Sequence, residues 1–201
     1  MSQTVEVVIA SFKEDLRWIK WIPESWNHRV YCTAADRKDL PEDSIILPNV
    51  AREAGQYLEH IVRNYDWLAD VTLFLQGMPF DHSPWELIEI LLSAEIPTHP
   101  ICYVGAQPPP AFGSGAIPFF DGTKAIMRKA YAAIGRDGET GKTIPFTVGA
   151  QFYVRREVVH ALPLEFYKRL LEACSEPDTQ PGFAHLIEGS WGCAFDWETF
   201  I

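Results

Sequence analysis

The chain has 201 residues, of which 47% are hydrophobic and 22% charged, enough apolar material for a core that folds unaided and too much for a disordered chain. A formal charge of −10, from 17 Lys and Arg against 27 Asp and Glu, argues against sequence-independent nucleic-acid binding and against an acidic membrane surface, since both need clustered cations. The 15 prolines and 13 glycines exclude a coiled coil or a collagen-like rod and predict many short elements joined by defined turns.

In chain order, the β-branched run 5–10 predicts a first strand, followed by shorter candidates at 29–33 and 44–47. A helix follows, because Val50, Ala54, Tyr57, Leu58, Ile61, Val62, Tyr65 and Leu68 recur at intervals of three and four, with Asn49 placed as its N-cap after Pro48. Arg52, Glu53, Gln56, Glu59 and Arg63 mark its polar face, and His60 stands at the boundary. A fourth strand is predicted at 71–75. Ser83, Pro84 and Glu86 then carry the signature of a capped helix, Ser83 as cap, Pro84 at the first helical position and Glu86 closing a capping box, with the helix running to about Ala94 and ending before Pro97.

The Pro- and Gly-rich stretch at about 107–119 reads as a loop or lid, and 135–143 as a second loop after a short helix at 123–133. A glycine-bearing strand at 146–154 and two helical pieces at 156–161 and 164–173, split by Pro163, come next, and the C-terminal HLIEGSWGCAFDW offers one more helix. Strand alternating with helix predicts an α/β fold: one domain over 1–201, a mostly parallel sheet flanked by helices.

No stretch approaches the roughly 20 apolar residues of a spanning helix. Cys32, Cys102, Cys174 and Cys193 are widely spaced without a CxxC, so reduced core thiols are expected rather than a zinc ribbon. With no basic, apolar and small-residue leader pattern at the start, a cytoplasmic location is expected.

Open α/β sheets bind ligands where strands end, which directs attention to the residues after each apolar run. Ser11 and Glu14 follow the first strand and Asp36 the second. After the fourth come Gln76 and Gly77, a polar amide and a glycine that permits close approach. On the loop before the next helix, Asp81 offers a base or a hold on a metal-bridged phosphate and His82 a ligand or a proton shuttle, or else the two simply cap or brace that helix. Arg52 and Glu53 occupy the first turn of the long helix, where a guanidinium and backbone amides suit a phosphate or carboxylate, or where the two form an ion pair. Gln151 lies on the late strand beside Gly149. His185 and Glu188, three residues apart, share a face if helical and suit a base with its orienting partner. GxxxxGK[ST], GxSxG, HExxH and a strand-linked GxGxxG are all missing, and GRDGETGKT at 135–143 lacks the P-loop spacing.

The blocks VVIASFKEDLRWI, LPNVAREAGQYLEHIVRNYDWLADVTLFLQGMPFDH and VGAQFYVRREVVHALPLEFYKRLL resemble the uncharacterised family known as domain of unknown function 3431. More distantly the layout is similar to GT-A type nucleotide-sugar glycosyltransferases, with their Rossmann-like architecture. That resemblance implies a glycosyltransferase-like enzyme acting on a small molecule or sugar acceptor, with a divalent metal, Mn or Mg, as its cofactor. Where that type carries an Asp-x-Asp motif for metal and donor diphosphate, this chain has Gln76-Gly77-Met78, so the metal and diphosphate motif is degenerate. On this reading Ser11, Glu14 and Asp36 line a nucleotide pocket, Arg52 meets the phosphates, and Gln76, Asp81 and His82 lie at the donor sugar, with Glu53 and Gly77 as further ligand-binding candidates. Gln151 and Glu188 face the acceptor, and Asp81, His82 and Glu188 are the catalytic candidates. The competing readings are a small-molecule tailoring enzyme of another reaction class in the same cleft, with Glu53, His82 or Glu188 as acid or base, and a noncatalytic sugar- or peptide-binding module using the chain's 7 tryptophans.

Overall fold

The computed structural model describes residues 3–81, 84–96, 101–103, 132 and 151–175. Six strands form one sheet: β1 (Val5–Ser11), β2 (Asn27–Cys32), β3 (Ile45–Ile46), β4 (Val71–Gln76), β5 (Ile101–Tyr103) and β6 (Phe152–Arg155), in the order β3-β2-β1-β4-β6-β5. β1 pairs in parallel with both β2 and β4, and β2 with β3, whereas β6 runs antiparallel to both of its neighbours. The fold is therefore α/β with a mostly parallel sheet, as expected, and β6 is an antiparallel insertion that strand–helix alternation does not reveal.

Helices cover both faces. On one, α1 (Arg52–Asn64), α3 (Arg156–His160) and α4 (Leu164–Cys174) pack over Val8, Ala10, Tyr31, Phe74, Phe152 and Val154. On the other, the 3-10 turn Arg17–Trp21 and α2 (Pro84–Ser93) cover Val7, Ile9, Leu73 and Leu75. Every residue of β1 is buried, which explains why its sequence reads as a nearly continuous apolar run rather than an alternation. Tyr57 of α1 meets Phe74 and Phe152 with ring centroids 4.8 and 6.0 Å apart, so the periodic face of this helix becomes the aromatic centre of the core.

Two details of α1 differ from expectation. Asn49 does not cap it: the cap position is Ala51, with φ 52°, and Arg52 follows at φ 50°. The chain enters the helix through two consecutive left-handed residues, a conformation that costs non-glycine residues energy and is held by its surroundings. Gln56, placed on the polar face by its residue type, is 4% exposed because its amide serves the end of β1.

α2 begins at Pro84 as predicted, while Ser83, the side chain of Glu86, the 107–119 and 135–143 loops, the 123–133 helix and the C-terminal segment lie outside the described residues. α3 and α4 fall within a residue of their predicted limits. β5 was not foreseen, since Ile101–Tyr103 is too short to stand out beside Pro97 and Pro100. Cys32 and Cys174 are buried free thiols, and burial pushes the Cys174 thiol up to about 12. Among the described residues no helix is long and apolar enough to cross a membrane.

Candidate functional site

From β1 the chain proceeds to β2 and β3 on one side, then returns to place β4 on the other side of β1. Neighbouring parallel strands whose connections leave in opposite directions open a crevice at their carboxyl ends. A cavity of about 480 Å³ lies there, walled by the residues after β1, the start of α1 and the residues after β4. Ser11, Glu14, Arg52, Glu53, Gln76, Gly77 and Asp81 all line it. Spatial proximity was thus legible for seven of the expected site residues.

The cavity wall after β1 folds back on itself. The Glu14 carboxylate accepts from the Phe12 amide at 2.7 Å and from the Ser11 hydroxyl at 3.2 Å, both on Oε2. No hydrogen bond reaches Glu14 Oε1 from the described residues, which leaves that oxygen an open acceptor. Across the cavity Gln76 Nε2 donates to Glu53 Oε1 at 2.5 Å, and Glu53 Oε2 is likewise left open among the described residues. Gln56 accepts from the Ser11 amide at 3.0 Å, which joins α1 to the end of β1, and donates to the Arg52 carbonyl of its own helix at 3.3 Å. The Arg52 guanidinium and the Asp81 carboxylate, both on the cavity wall, take no hydrogen bond or ion pair among the described residues.

Gly77 does allow a close approach, and the group that approaches is Glu14: a Cβ built on Gly77 would stand 2.5 Å from Glu14 Oε2. The carbonyl of Gly77 accepts from Trp18 Nε1 at 2.8 Å, which holds the other side of the same turn. Gln151 is 2% exposed and does not line the cavity. It accepts from the Gln76 amide at 3.4 Å and donates to the Pro79 carbonyl at 3.0 Å, bracing the exit of β4 from behind instead of facing an acceptor. Asp36 is exposed on the turn after β2 and is not part of the cavity wall. His82 and Glu188 lie outside the described residues.

Sequence reasoning missed Gln56 and Arg37. A glutamine inside an amphipathic pattern carries no sign that it is buried. Arg37 sits in the run Asp36-Arg37-Lys38-Asp39, which looks like solvated surface.

A divalent metal would need several converging donors. Among the described residues no group of three or more His, Cys, Asp or Glu side chains is placed to hold one, and Glu14 and Glu53 each have an oxygen occupied by protein donors. The donor set described does not fit a metal centre.

The fold and cavity together define an α/β protein with a ligand-sized, acceptor-rich crevice at a topological switch point. Residues 7–93 match the model of a family described as protein of unknown function (DUF3431), which bears out the resemblance to that family over the first two of the three blocks, while the third, at 148–171, lies beyond the matched segment. The matched segment runs from β1 to the end of α2 and includes every described residue of the cavity wall. No curated protein and no solved structure matches the chain significantly.

Proposed function

We propose that the protein is a glycosyltransferase-like enzyme of GT-A-like architecture, acting in the cytoplasm on a small-molecule or sugar acceptor bound in the crevice between the ends of β1 and β4. One observation carries this reading: among the described residues Glu14 and Glu53 each keep one carboxylate oxygen open on the wall of a cavity of about 480 Å³, and the Arg52 guanidinium on the same wall takes no partner from them. Sugars are dense in hydroxyl donors, and carboxylate oxygens already oriented by a second hydrogen bond are suited to receive them. Arg52 supplies positive charge for an anionic leaving group.

In such a transfer the acceptor hydroxyl attacks the anomeric carbon, a new C–O bond forms, and the bond to the anionic leaving group breaks. Asp81, whose carboxylate has no protein donor among the described residues, takes the hydroxyl proton. Arg52 meets the departing charge, and Glu14, Glu53 and Gln76 orient the sugar.

A second reading, a noncatalytic sugar-binding module, is favoured by the lack of a metal-holding cluster among the described residues. A thermal-shift panel of nucleoside diphosphates and nucleotide sugars, with and without manganese, tests both. A ligand at a hundredfold excess over its Kd should raise the melting temperature by roughly 5–10 °C. The shift is expected to be the same with and without manganese. Release of nucleoside diphosphate from the sugar that shifts the protein distinguishes enzyme from module, and a flat panel overturns the transferase reading.

A further inference from the structure

We propose that Arg37 is the positioning residue of this cavity: it sets the direction of the Ser11 hydroxyl and so holds Glu14 with one carboxylate oxygen presented to a ligand donor, a hydroxyl or an ammonium. The inference rests on the reading of the cavity as a ligand site and names the chemistry that Glu14 accepts there.

Arg37 lies on the loop between β2 and β3, away from the cavity wall, and its side chain is only 8% exposed. Its guanidinium crosses to the segment after β1, where Nη1 donates to Ser11 Oγ at 3.0 Å and to the Phe12 carbonyl at 3.4 Å, and Nη2 donates to the Glu14 carbonyl. Its Nε donates outward to the exposed Asp39 carboxylate at 2.7 Å. A guanidinium has donors only. Ser11 Oγ must therefore accept from Arg37, which leaves its own hydrogen to go to Glu14 Oε2 at 3.2 Å.

The chain Arg37 to Ser11 to Glu14 thus has one possible polarity. It makes Ser11 an internal relay instead of a ligand donor, and it adds the Ser11 hydroxyl to the Phe12 amide as a second donor on Glu14 Oε2, which fixes the direction of the carboxylate. A lysine at position 37 would supply a single point of donors and would not span Ser11, Glu14 and Asp39 with one planar fork.

The test needs no ligand in its first arm. In Arg37→Ala, hydrogen exchange at the Phe12 amide, which reports the Glu14 contact, should accelerate about tenfold, with amides in the centres of β1, β4 and α1 unchanged. Millimolar guanidinium ion should restore protection, Arg37→Lys should restore it in part, and Asp39→Ala should leave it as in the native chain because the three inward contacts survive. Unchanged exchange at Phe12 overturns the proposal, as does an equal acceleration throughout β1, which would make Arg37 a general stabiliser. An Asp39→Ala effect equal to that of Arg37→Ala also overturns it. In the second arm the nucleotide-sugar panel is repeated on Arg37→Ala, which should lose the thermal shift while keeping the native melting temperature to within a few degrees. If the native protein shows no shift with any member, the functional reading fails, and exchange at Phe12 still decides the role of Arg37.

Discussion

The two ends of α1 hold polar groups over the same face of the sheet and treat them in opposite ways. At the amino ends of the strands His60 is completely buried, with Tyr31 Oη 3.2 Å and Asn64 Nδ2 3.4 Å from its Nδ1 and Glu6 Oε2 3.6 Å from its Nε2. The last distance exceeds hydrogen-bond reach, and Nε2 has no hydrogen-bond partner among the described residues. Burial, with the Arg29 charge adding to it, pulls the His60 imidazole down to about 3, so the contact with Glu6 is not a salt bridge at neutral pH. Glu6 instead pairs with Arg29 at 3.1 Å. At the carboxyl ends, Glu14 and Glu53 are pinned by one carboxylate oxygen, and among the described residues the other is left open. A sealed polar cluster supports the fold at the cost of a shifted pKa, whereas the open one keeps oriented acceptors with hydrogen-bonding capacity to spare, the feature on which the proposed ligand site rests.

The largest effect should come from the turn that begins α1 at the open end. A Cβ on Gly55 would stand 2.1 Å from the Val50 carbonyl oxygen, and backbone cannot rotate away as a side chain can. Gly55→Ala is expected to destabilise by about 3 kcal/mol or more in urea unfolding. A loss below about 1 kcal/mol would mean that the left-handed Ala51 and Arg52 turn relaxes easily, and with it the placement of Arg52.

The sealed end should show itself in pH dependence. An unfolded chain protonates His60 near its ordinary value of 6.5, but the folded protein resists protonation until about 3. As pH falls below 6.5 the unfolded state therefore binds the proton first, and stability is lost at up to about 1.4 kcal/mol per pH unit, while above 6.5 this group contributes no slope. The carboxylates of Asp15, Asp39 and Asp70 are held below their ordinary values by Arg17, by Arg37 and by hydrogen bonds from Thr4, respectively, so their losses begin nearer pH 4. His60→Gln should flatten the profile between pH 6.5 and 4. An unaltered slope in that variant would place the titration elsewhere.

How far these features were legible depends on what each residue type signals. The core strands and α1 could be read because buried parallel strands and an amphipathic helix impose their periods directly on sequence, and α4 began one residue after Pro163 as proline geometry requires. The end-of-strand rule located Ser11, Glu14, Gln76 and Gly77 without a motif, since topology alone brings the ends of β1 and β4 together. Gln151 turns to the Gln76 amide and the Pro79 carbonyl and lies off the cavity wall, and a polar residue on a strand gives no hint whether it faces a ligand or backbone groups. Arg37 and Gln56 were hidden for a related reason: their partners are 26 and 45 residues away, a relation that neither spacing nor residue type encodes. The left-handed entry to α1 leaves no mark either, because Ala51 and Arg52 are ordinary helix formers held in an uncommon conformation by tertiary contact.

A smaller stability effect is expected at Gly77, and the contrast with Gly55 is instructive. The atom that a new Cβ would meet is the end of the Glu14 side chain, 2.5 Å away, which can swing aside. Gly77→Ala should cost on the order of 1 kcal/mol in stability. Displacing Glu14 nevertheless breaks its contacts with Ser11 and Phe12, so binding of the ligand found in the nucleotide-sugar panel should fall about tenfold. Calorimetric titration of that ligand checks this, and a variant that binds normally would remove Glu14 from the ligand's contacts.

The smallest structural effects belong to the groups most exposed to the cavity. Asp81 has no protein partner among the described residues, and Gln76 offers one hydrogen bond to Glu53 from a half-buried position. Asp81→Ala should change unfolding free energy by no more than about 0.5 kcal/mol, and Gln76→Ala by about 1 kcal/mol. Their effects on function should separate. Gln76→Ala frees Glu53 to rotate, so it should weaken ligand affinity. Asp81→Ala should leave affinity for the sugar donor nearly intact while reducing turnover by about a hundredfold, because a base acts on the acceptor proton in the transition state and contributes little to ground-state binding. If Asp81→Ala instead lowers affinity and turnover together, the carboxylate orients the ligand alongside Glu14 and Glu53, and the open end of α1 contains three binding carboxylates and no base.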